Sequence, residues 1–342
     1  MGPLAGLRVI EVAGIGPGPF CAMVLADLGA DVVRVDRVAT VGAPPESARF
    51  DVLGRNRRSI AVDLKAPDGA EVVLRLAEGA DALLEGFRPG VAERLGIGPD
   101  VCLGRNARLV YGRMTGWGQD GPLAATAGHD ITYAAVAGAL AHIGRAGQAP
   151  SPPLNLVADF GGGGMLLALG MVAALLHAQR GGEGQVVDAA MVDGTALLMA
   201  PFFGASAMGY WSDERGTNLL DSGAPFYDVY RCADGLELAV GAIEPQFFAV
   251  LLDVLELDPS AVPAQDDRAR WPELRAVLAE ALARRPRAEW LTRAEGRDAC
   301  LAPVLPMREA AEHPHLVARG TVVEIDGVPQ PAPAPRFSRT PS

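Results

Sequence analysis

Three residues of this 342-residue chain are candidates for proton transfer by type and local context: His129, Asp159 and Glu244. His129 is one of only five histidines and lies between a glycine and an aspartate in the segment AGHDITY, where the glycine indicates a turn. Asp159 ends an apolar stretch in LNLVADFGGGG, directly before four glycines. Imidazole and carboxyl groups serve as general acids and bases, so these residue types favour acid–base catalysis.

Each candidate also has a structural interpretation. Asp159 could cap the helix that follows the glycines, because a carboxylate accepts hydrogen bonds from first-turn amides. The same place also suits a catalytic Asp159, because apolar surroundings keep the protonated form of the carboxyl group accessible. Amides near the glycines could bind a developing oxyanion, and the glycines would let a substrate approach. Glu244, in VGAIEPQFF, is either a first-turn helix residue before Pro245 or a carboxylate that orients the His129 imidazole.

The elements that position these residues alternate in the N-terminal half of the chain. Five segments have the composition of strands, namely LRVIEV, DVVRVDR, RSIAVDL, DALLEGF and ARLVYGRM. Three helical segments alternate with them: one from about Pro19 to Leu28, PDGAEVVLRLAEGA, and a short one around Val91 to Leu95. The alternation predicts an α/β fold with a mostly parallel sheet covered by helices on both faces. Ligands bind at the carboxyl edge of such a sheet.

Length and a change of composition after residue 200 predict two domains. The large domain ends with a long helix at 163–180 and a further strand and helix, and the small one begins with a hairpin around Asp234 and Gly235. The predicted boundaries are a large domain at 1–200, a linker at 201–224, a small α+β domain at 225–316 and an extended C-terminal return segment at 317–342.

The composition limits the classes of function. The net charge of −11 is spread along the chain without a basic block, which argues against binding to nucleic acid or a membrane surface. Four well-separated cysteines without a CxxC pair predict buried, reduced thiols, no metal site and a cytoplasmic location. The N-terminus lacks a signal-peptide pattern, and the longest apolar run, MLLALGMVAALL, is shorter than the roughly 20 residues of a membrane span, so we expect a buried helix there.

A phosphate-rich ligand is indicated by loop residues at the ends of the predicted strands. GIGPGP, followed about twenty residues later by Asp36, is close to a dinucleotide-binding fingerprint, although Pro19 stands where the third glycine belongs. A tight turn with prolines that start the helix explains the same stretch. Basic residues follow several strands, among them Arg37, Lys65 and Arg88. These side chains suit phosphate groups.

Several longer segments resemble one known family. They are GIGPGPFCAMVLADLGADVVRVDR, EGFRPGVAERLGIGP, RMTGWGQDGPLAATAGHDITY, PPLNLVADFGGGGM, GQVVDAAMVDG, SGAPFYDVYR and GAIEPQFF. Together they resemble the α-methylacyl-CoA racemases of the family III CoA-transferase superfamily over nearly the whole chain. The resemblance implies racemisation of 2-methylacyl-CoA thioesters by 1,1-proton transfer through an enolate. His129 and Asp159 would be the two bases, Glu244 would support His129, and no separate cofactor would be needed because CoA is part of the substrate.

The resemblance also implies the ligand contacts and the assembly. The residues assigned to CoA are Arg37, Val62, Asp63, Leu64, Lys65, Gly86, Phe87, Arg88, Arg94, Gly128, Asp130 and Tyr133. The expected assembly is an interlocked homodimer, in which the Rossmann-like large domain of one subunit and the small domain of the other form each site. The sequence departs from the family pattern at two places. Thr132 stands where an asparagine is common, which puts a local hydrogen bond in question. The chain ends at RFSRTPS, where many relatives continue into a helix.

Three other functions remain open at this point. In CoA transferases of the superfamily, the residue matching Asp159 is a nucleophile, and His129 argues against that branch because an aromatic residue usually stands there. A non-catalytic acyl-CoA-binding protein would not need the set of His129, Asp159 and Glu244. An NAD-dependent dehydrogenase would use GIGPGP and Asp36, and Pro19 and Arg37 count against it.

Overall fold

The computed structural model describes residues 2–40 and 48–341. The chain forms two compact units, and each is continuous in space although not in sequence. The first unit comprises Met1–Leu140, Pro152–Ala200 and Val317–Ser342, and the second comprises Ala141–Ser151 and Pro201–Leu316. Each unit has its own cluster or clusters of buried apolar side chains.

A six-stranded parallel sheet forms the centre of the first unit, as the alternating pattern predicts. Its strands are β1 (Arg8–Val12), β2 (Asp31–Asp36), β3 (Arg57–Ala61), β4 (Ala82–Glu85), β5 (Val110–Thr115) and β6 (Val186–Ala190). Their order is β3-β2-β1-β4-β5-β6, with every neighbouring pair parallel. Because the order reverses between β1 and β4, a crevice is expected beyond the carboxyl ends of these two strands.

Helices cover both faces of this sheet. They are α1 (Pro17–Asp27), α2 (Gly69–Glu78), α3 (Val91–Arg94), α4 (Pro99–Arg105), α5 (Asp130–Val136), α6 (Leu166–Gln179) and α7 (Met191–Leu198). Consecutive strand residues point to opposite faces, so Val9 packs with α1 and α6 while Ile10 packs with α2 and α4. The predicted three-layer α/β arrangement is thereby confirmed.

The apolar helix near the centre of the chain is longer and less buried than predicted. A π-helical segment at Leu156–Met165 continues directly into α6, which gives one apolar helix over Leu156–Gln179, long enough by length and composition to cross a membrane. One face of α6 packs against β5 and β6. Apolar side chains are exposed at Leu169 and Leu176 of α6 and at Met165, the last residue of the π-helical segment. The prediction of a buried helix is therefore met only on the side that packs against the sheet.

The second unit contains a three-stranded antiparallel sheet with helices. Its strands are β7 (Tyr227–Arg231), β8 (Glu237–Gly241) and β9 (Leu301–Pro303). The helices of this unit are α9 (Pro245–Val254), α10 (Trp271–Leu282), α11 (Arg287–Ala294) and α12 (Met307–Glu312), and α8 (Ala200–Ala207) begins at its boundary with the first unit. The turn between β7 and β8 contains Gly235 with φ 78°, as the Asp-Gly signal predicts. Cys232 is buried here, but Cys300 is exposed, contrary to expectation.

The C-terminal segment is more regular than the extended run predicted for 317–342. After α13 (Pro314–Arg319), strands β10 (Val322–Ile325) and β11 (Val328–Pro331) form an antiparallel hairpin. Asp326 and Gly327 both have positive φ, which suits a two-residue hairpin turn between the strands. Arg55 of the first unit donates a hydrogen bond of 2.6 Å to the Pro331 carbonyl.

Candidate active site

A cavity of about 480 Å³ opens at the carboxyl edge of the parallel sheet in the first unit. Segments that directly follow β1, β4 and β5 line it, as expected for an α/β fold whose strand order reverses at β1 and β4. The lining includes Ile15, Gly16, Gly86, Phe87, Arg88, Gly116, Trp117, Gly128, His129, Tyr133, Asn155 and Asp159. The structure thus brings His129 and Asp159, which are far apart in sequence, to one cavity.

His129 is the residue that precedes α5, and its backbone is extended with φ −140° and ψ 170°. The Thr132 hydroxyl accepts a hydrogen bond of 2.9 Å from the His129 amide and donates one of 2.7 Å to the His129 carbonyl. Thr132 therefore makes local hydrogen bonds of its own at the position where an asparagine is common. These two bonds fix the backbone from which the imidazole extends.

The glycine before His129 is required by the packing of Tyr133. A Cβ atom at Gly128 would lie 2.5 Å from Tyr133 Cε1, and one at Gly116 would overlap the same ring. The Tyr133 ring is buried and makes an edge-to-face contact with Trp117 at a centroid distance of 4.8 Å. The absence of a side chain at Gly128 therefore leaves room for the Tyr133 ring of α5 next to the loop that carries His129.

Asp130 holds the helical turn that carries Asp159. Its buried carboxylate accepts hydrogen bonds from the amides of Ala158 at 2.7 Å and Asp159 at 2.8 Å. The interpretation of Asp159 as the helix cap is therefore wrong, since Asp130 makes those bonds across 28 and 29 residues of sequence. These two amides are therefore not available for an oxyanion, and the predicted role of amides near the glycines stays a prediction.

The carboxylate of Asp159 faces the cavity instead. Its Oδ2 accepts a hydrogen bond of 3.3 Å from Asn155, four residues earlier. Burial raises the pKa of Asp159 above its usual value, and the neighbouring Asp130 carboxylate raises this pKa further. The Asn155 hydrogen bond and the charge of a protonated His129 lower this pKa, but the net shift is upward. A carboxyl group held in this way exchanges protons more readily near neutral pH than an exposed aspartate.

The glycines after Asp159 serve helix packing. A Cβ atom at Gly162 would lie 2.7 Å from the Thr195 amide nitrogen, and one at Gly194 would overlap the Gly162 backbone. A Cβ atom at Gly164 would lie 2.7 Å from Phe20 Cδ1. The π-helical segment therefore packs backbone to backbone against α7 and closely against α1. The expectation that these glycines admit substrate was wrong for Gly162 and Gly164, which are buried.

Glu244 lies in the second unit, where it is exposed and directly precedes α9. Its carbonyl accepts hydrogen bonds of 3.0 Å from the amides of Phe247 and Phe248, and Pro245 occupies the first turn. The structural interpretation of Glu244 as a helix-start residue is therefore met. Its predicted support of His129 stays a prediction.

A second cavity, of about 510 Å³, lies in the second unit. Arg145, Arg268 and Arg275 are among its lining residues. Both Arg145 and Arg275 bind the buried carboxylate of Asp228. Arg275 also donates hydrogen bonds to the carbonyls of Ser222 and Gly223. Two of the three arginines are thus engaged in structural ion pairs, so the first cavity remains the candidate active site.

The profile of one protein family, described as CoA-transferase family III, matches residues 4–342. The chain belongs to this family. It is 48% identical over 340 residues to the α-methylacyl-CoA racemase of Mus musculus, with 99% of this chain and 87% of that protein covered. It is 32% identical over 344 residues to the acetyl-CoA:oxalate CoA-transferase of Acetobacter aceti, covering 96% and 88%.

The fold agrees with this membership. A CAIB/BAIF family protein from Brucella suis superimposes with a TM-score of 0.84 at 27% sequence identity, covering 99% of this chain and 94% of that chain. The similarity in fold therefore extends over both units of this chain. The chemical branch within the family is a separate question.

The residues assigned to CoA on the basis of the resemblance lie at the carboxyl edge of the sheet or close to it. Arg37 follows β2, the run from Val62 to Lys65 follows β3, and Gly86, Phe87 and Arg88 follow β4. Of these, the three after β4 line the cavity. Arg94 is exposed on the short helix α3. Residues 41–47, which follow Arg37 closely, lie outside the described part of the chain.

Asn155 and Trp117 are among the cavity residues that were not singled out from the sequence. Asn155 stands four residues before Asp159, a spacing that places two side chains on the same face of a helix, and this was the available signal. Trp117 follows β5 directly, and the rule that ligands bind beyond strand ends would have identified it. Gly16, by contrast, was part of the glycine-rich stretch, and it precedes α1 while Pro17 starts it, as the tight-turn interpretation predicts.

Proposed function

We propose that this family III protein racemises 2-methylacyl-CoA thioesters, with His129 and Asp159 as the two bases. The observation that carries the proposal is that these two residues line one cavity in a chain that is 48% identical to an α-methylacyl-CoA racemase over 99% of its length. The 32% identity to a CoA-transferase is lower over a similar span. The higher sequence identity to the racemase supports the racemase branch of the family. The position of His129 and Asp159 in one cavity supports their roles as the two bases.

The proposed reaction moves one proton off Cα and another onto it. The thioester acidifies the α-hydrogen, so a base on one face removes that proton and leaves a planar enolate. The acid on the opposite face then donates a proton to the same carbon, which inverts its configuration. The raised pKa of Asp159 brings it closer to that of an imidazole, as a pair that must work in both directions requires.

The nucleotide end of CoA is proposed to lie along the carboxyl ends of β2 and β3, and the acyl end in the cavity. Arg37, Lys65 and Arg94 would contact the phosphates, which suits guanidinium and ammonium groups. Phe87 and Arg88 would lie between the two ends, because they follow β4 and line the cavity. We propose no separate cofactor, since the CoA moiety is part of the substrate.

A homodimer in the cytoplasm is part of the same proposal. The outer face of α6 exposes Leu169 at 66% and Leu176 at 48%, and Leu197 of α7 is exposed at 61%. A second copy of the chain is the occupant we propose for this apolar surface, because the resemblance implies an interlocked dimer. Glu244 of the partner subunit would then support His129.

CoA transfer is the second candidate function, and membership in a family described by that activity favours it. In this alternative Asp159 is a nucleophile that attacks the thioester carbonyl and releases the CoA thiolate. His129 would then have no necessary role. The two candidates therefore differ in whether both residues or Asp159 alone are essential.

The deciding experiment incubates the protein with the (S)- and (R)-forms of a 2-methylacyl-CoA in deuterated water, followed by chiral analysis and mass spectrometry. Racemisation predicts that both forms approach the same near-equal mixture and gain deuterium at Cα without an added carboxylate acceptor. Turnover only in the presence of a second carboxylic acid, together with a covalent adduct trapped on Asp159, would instead establish CoA transfer.

Variants test the two-base assignment. His129→Ala and Asp159→Ala should each slow racemisation by about 10²–10⁴-fold, the range typical of general acid–base catalysis. Each variant should still exchange the α-hydrogen of one enantiomer, and the two variants should favour opposite enantiomers. His315→Ala and Asp100→Ala, at exposed positions outside the cavity lining, are the matched controls. Loss of exchange with both enantiomers in Asp159→Ala and full activity in His129→Ala would contradict the assignment.

A further inference from the structure

A buried ion network lies directly behind the part of the cavity wall that follows β4. Glu85, the last residue of β4, has no exposed surface, and its neighbour Arg113 on β5 is 7% exposed. Glu85 Oε1 accepts a hydrogen bond of 3.2 Å from Arg113 Nε, and Arg113 Nη1 lies 2.9 Å from Glu93 Oε1. Glu93 belongs to α3, so the network joins two strands and a helix.

The second oxygen of Glu85 binds the cavity wall itself. Oε2 accepts a hydrogen bond of 2.6 Å from the Phe87 amide. That amide lies beyond the last residue of β4, so the strand ladder no longer provides its partner. Phe87 and Arg88 both line the cavity. The carboxylate of Glu85 therefore determines where the chain turns from the sheet into the wall.

Stability alone does not explain an ionised group at this position. Apolar residues of similar volume often replace a buried ion pair without loss of stability, because removing two charges from water is costly. The cost is visible at Glu85, because burial raises its pKa to about 7 against the opposing effects of the Phe87 amide and the Arg113 guanidinium. The other charged or titratable groups that face it are Glu93, which raises this pKa, and the phenol of Tyr111.

We infer that Glu85 is a positioning residue for acyl-CoA binding, which holds the turn of Gly86, Phe87 and Arg88 in the ligand-binding arrangement through the Phe87 amide. The inference rests on the proposed function only in taking an acyl-CoA as the ligand of this wall. Since a carboxylate accepts a stronger hydrogen bond than a neutral carboxylic acid, the wall is held best when Glu85 is ionised.

Two properties should respond to Glu85 in opposite ways. The affinity for CoA should fall as the pH is lowered through about 7, because protonation weakens the bond to Phe87. The stability contribution of Glu85 has the opposite sign. Its folded-state pKa is raised, so this contribution is fully present below the unfolded-state pKa and is lost as the pH rises through about 7.

The test is Glu85→Gln, measured by calorimetric titration with CoA from pH 5.5 to pH 8.5. At pH 8.5 the variant should bind roughly five- to tenfold more weakly than the parent, because the neutral amide oxygen of a glutamine accepts a weaker hydrogen bond from Phe87 than a carboxylate does. The parent should lose more affinity toward pH 5.5 than the variant does. The turnover number at saturating substrate should change less than twofold, and the melting temperature at pH 8.5 should not fall.

Titration with dephospho-CoA removes a competing explanation. The 3′-phosphate of CoA itself titrates near pH 6, as phosphate monoesters do. Dephospho-CoA lacks that group, so any step near pH 7 that differs between parent and variant belongs to the protein. Asp228→Asn is the matched control, because Asp228 is also a buried carboxylate with arginine partners but lies in the second unit. This control should keep the pH dependence of binding.

Glu93→Gln gives an independent measurement that does not remove the buried carboxylate. Glu93 is 44% exposed and its charge raises the pKa of Glu85, so its loss should move the midpoint of the binding step to lower pH. An unchanged midpoint, or an affinity of Glu85→Gln equal to that of the parent at pH 8.5, overturns the inference alone. Failure of the parent protein to bind CoA at any pH overturns the proposed function and this inference with it.

Discussion

Removing the Asp130 carboxylate should release the helical turn that carries Asp159. Asp130 is buried, and one of its oxygens binds the amides of Ala158 and Asp159 at 2.7 and 2.8 Å. In Asp130→Ala both amides lose their acceptor while the surrounding packing excludes water. The Asp159 side chain keeps its bond to Asn155, but the backbone that supports it is no longer fixed.

The expected magnitude follows from these bonds. A hydrogen bond to a charged group contributes about 1.5–3 kcal/mol, so the two together contribute about 3–6 kcal/mol. The second carboxylate oxygen, Oδ1, is buried without a hydrogen-bond partner within the described ranges, and its removal relieves a desolvation cost. We therefore expect a net loss of about 2–4 kcal/mol in the free energy that holds this turn closed.

Hydrogen exchange followed by mass spectrometry measures this loss directly on peptides that cover residues 155–165. A loss of about 2–4 kcal/mol corresponds to roughly 30- to 1000-fold faster exchange at the two amides. Racemisation should also slow by about 10²-fold, the cost of misplacing a reacting group by about 1 Å. Asp258→Ala is the control, because Asp258 is exposed and binds the Ser260 amide at a short helix start.

Exchange in Asp130→Ala within threefold of the parent rate would refute the reasoning. It would mean that the two amides are protected by other groups and that Asp130 acts on Asp159 only through its charge. Faster exchange across the whole first unit would also contradict it, because the effect is expected in the π-helical segment that Asp130 binds.

Three further predictions concern the same site. Asn155→Leu should raise the pKa of Asp159, because it removes a hydrogen bond that lowers this pKa. For the enantiomer that Asp159 deprotonates, the acidic limb of the pH–rate profile should then move to higher pH, and a shift to lower pH would contradict the assigned contact. Gly128→Ala should cost about 1–3 kcal/mol of unfolding free energy through overlap with Tyr133, measured by urea denaturation, and a neutral result would mean that the ring has room to move. Arg94→Ala should raise the dissociation constant for CoA more than it lowers the turnover number, and the reverse would place Arg94 away from the nucleotide.

The sequence alone determined the architecture of the first unit. Strands such as Arg8–Val12 and Val110–Thr115 are short apolar runs bounded by turn residues, and helices with 3.6-residue spacing lie between them. A parallel sheet covered on both faces follows from that alternation, because each element has an apolar surface that only such layers bury. The prediction that ligand-binding residues follow the strands has the same origin, and residues after β4 and β5 do line the cavity.

The local sequence pattern did not predict the role of residues whose contacts are distant in sequence. The capping role fitted Asp159 by position, but Asp130 holds the turn because α5 carries it to the amides of a segment 28 residues away. The glycines after Asp159 suited substrate access, yet Gly162 and Gly164 meet α7 and α1. Nothing in either local sequence encodes the neighbour that the tertiary fold supplies.

Burial of charge was likewise decided only in three dimensions. Glu85 stands in DALLEGF, where the sequence shows one carboxylate at the end of a strand. Its pKa near 7 and its bond to Phe87 depend on Arg113 from the next strand and on the water excluded by the packed layers. Hydrophobic periodicity is a local property and survives in the sequence, whereas the desolvation of a charge and the identity of its partners are properties of the assembled core.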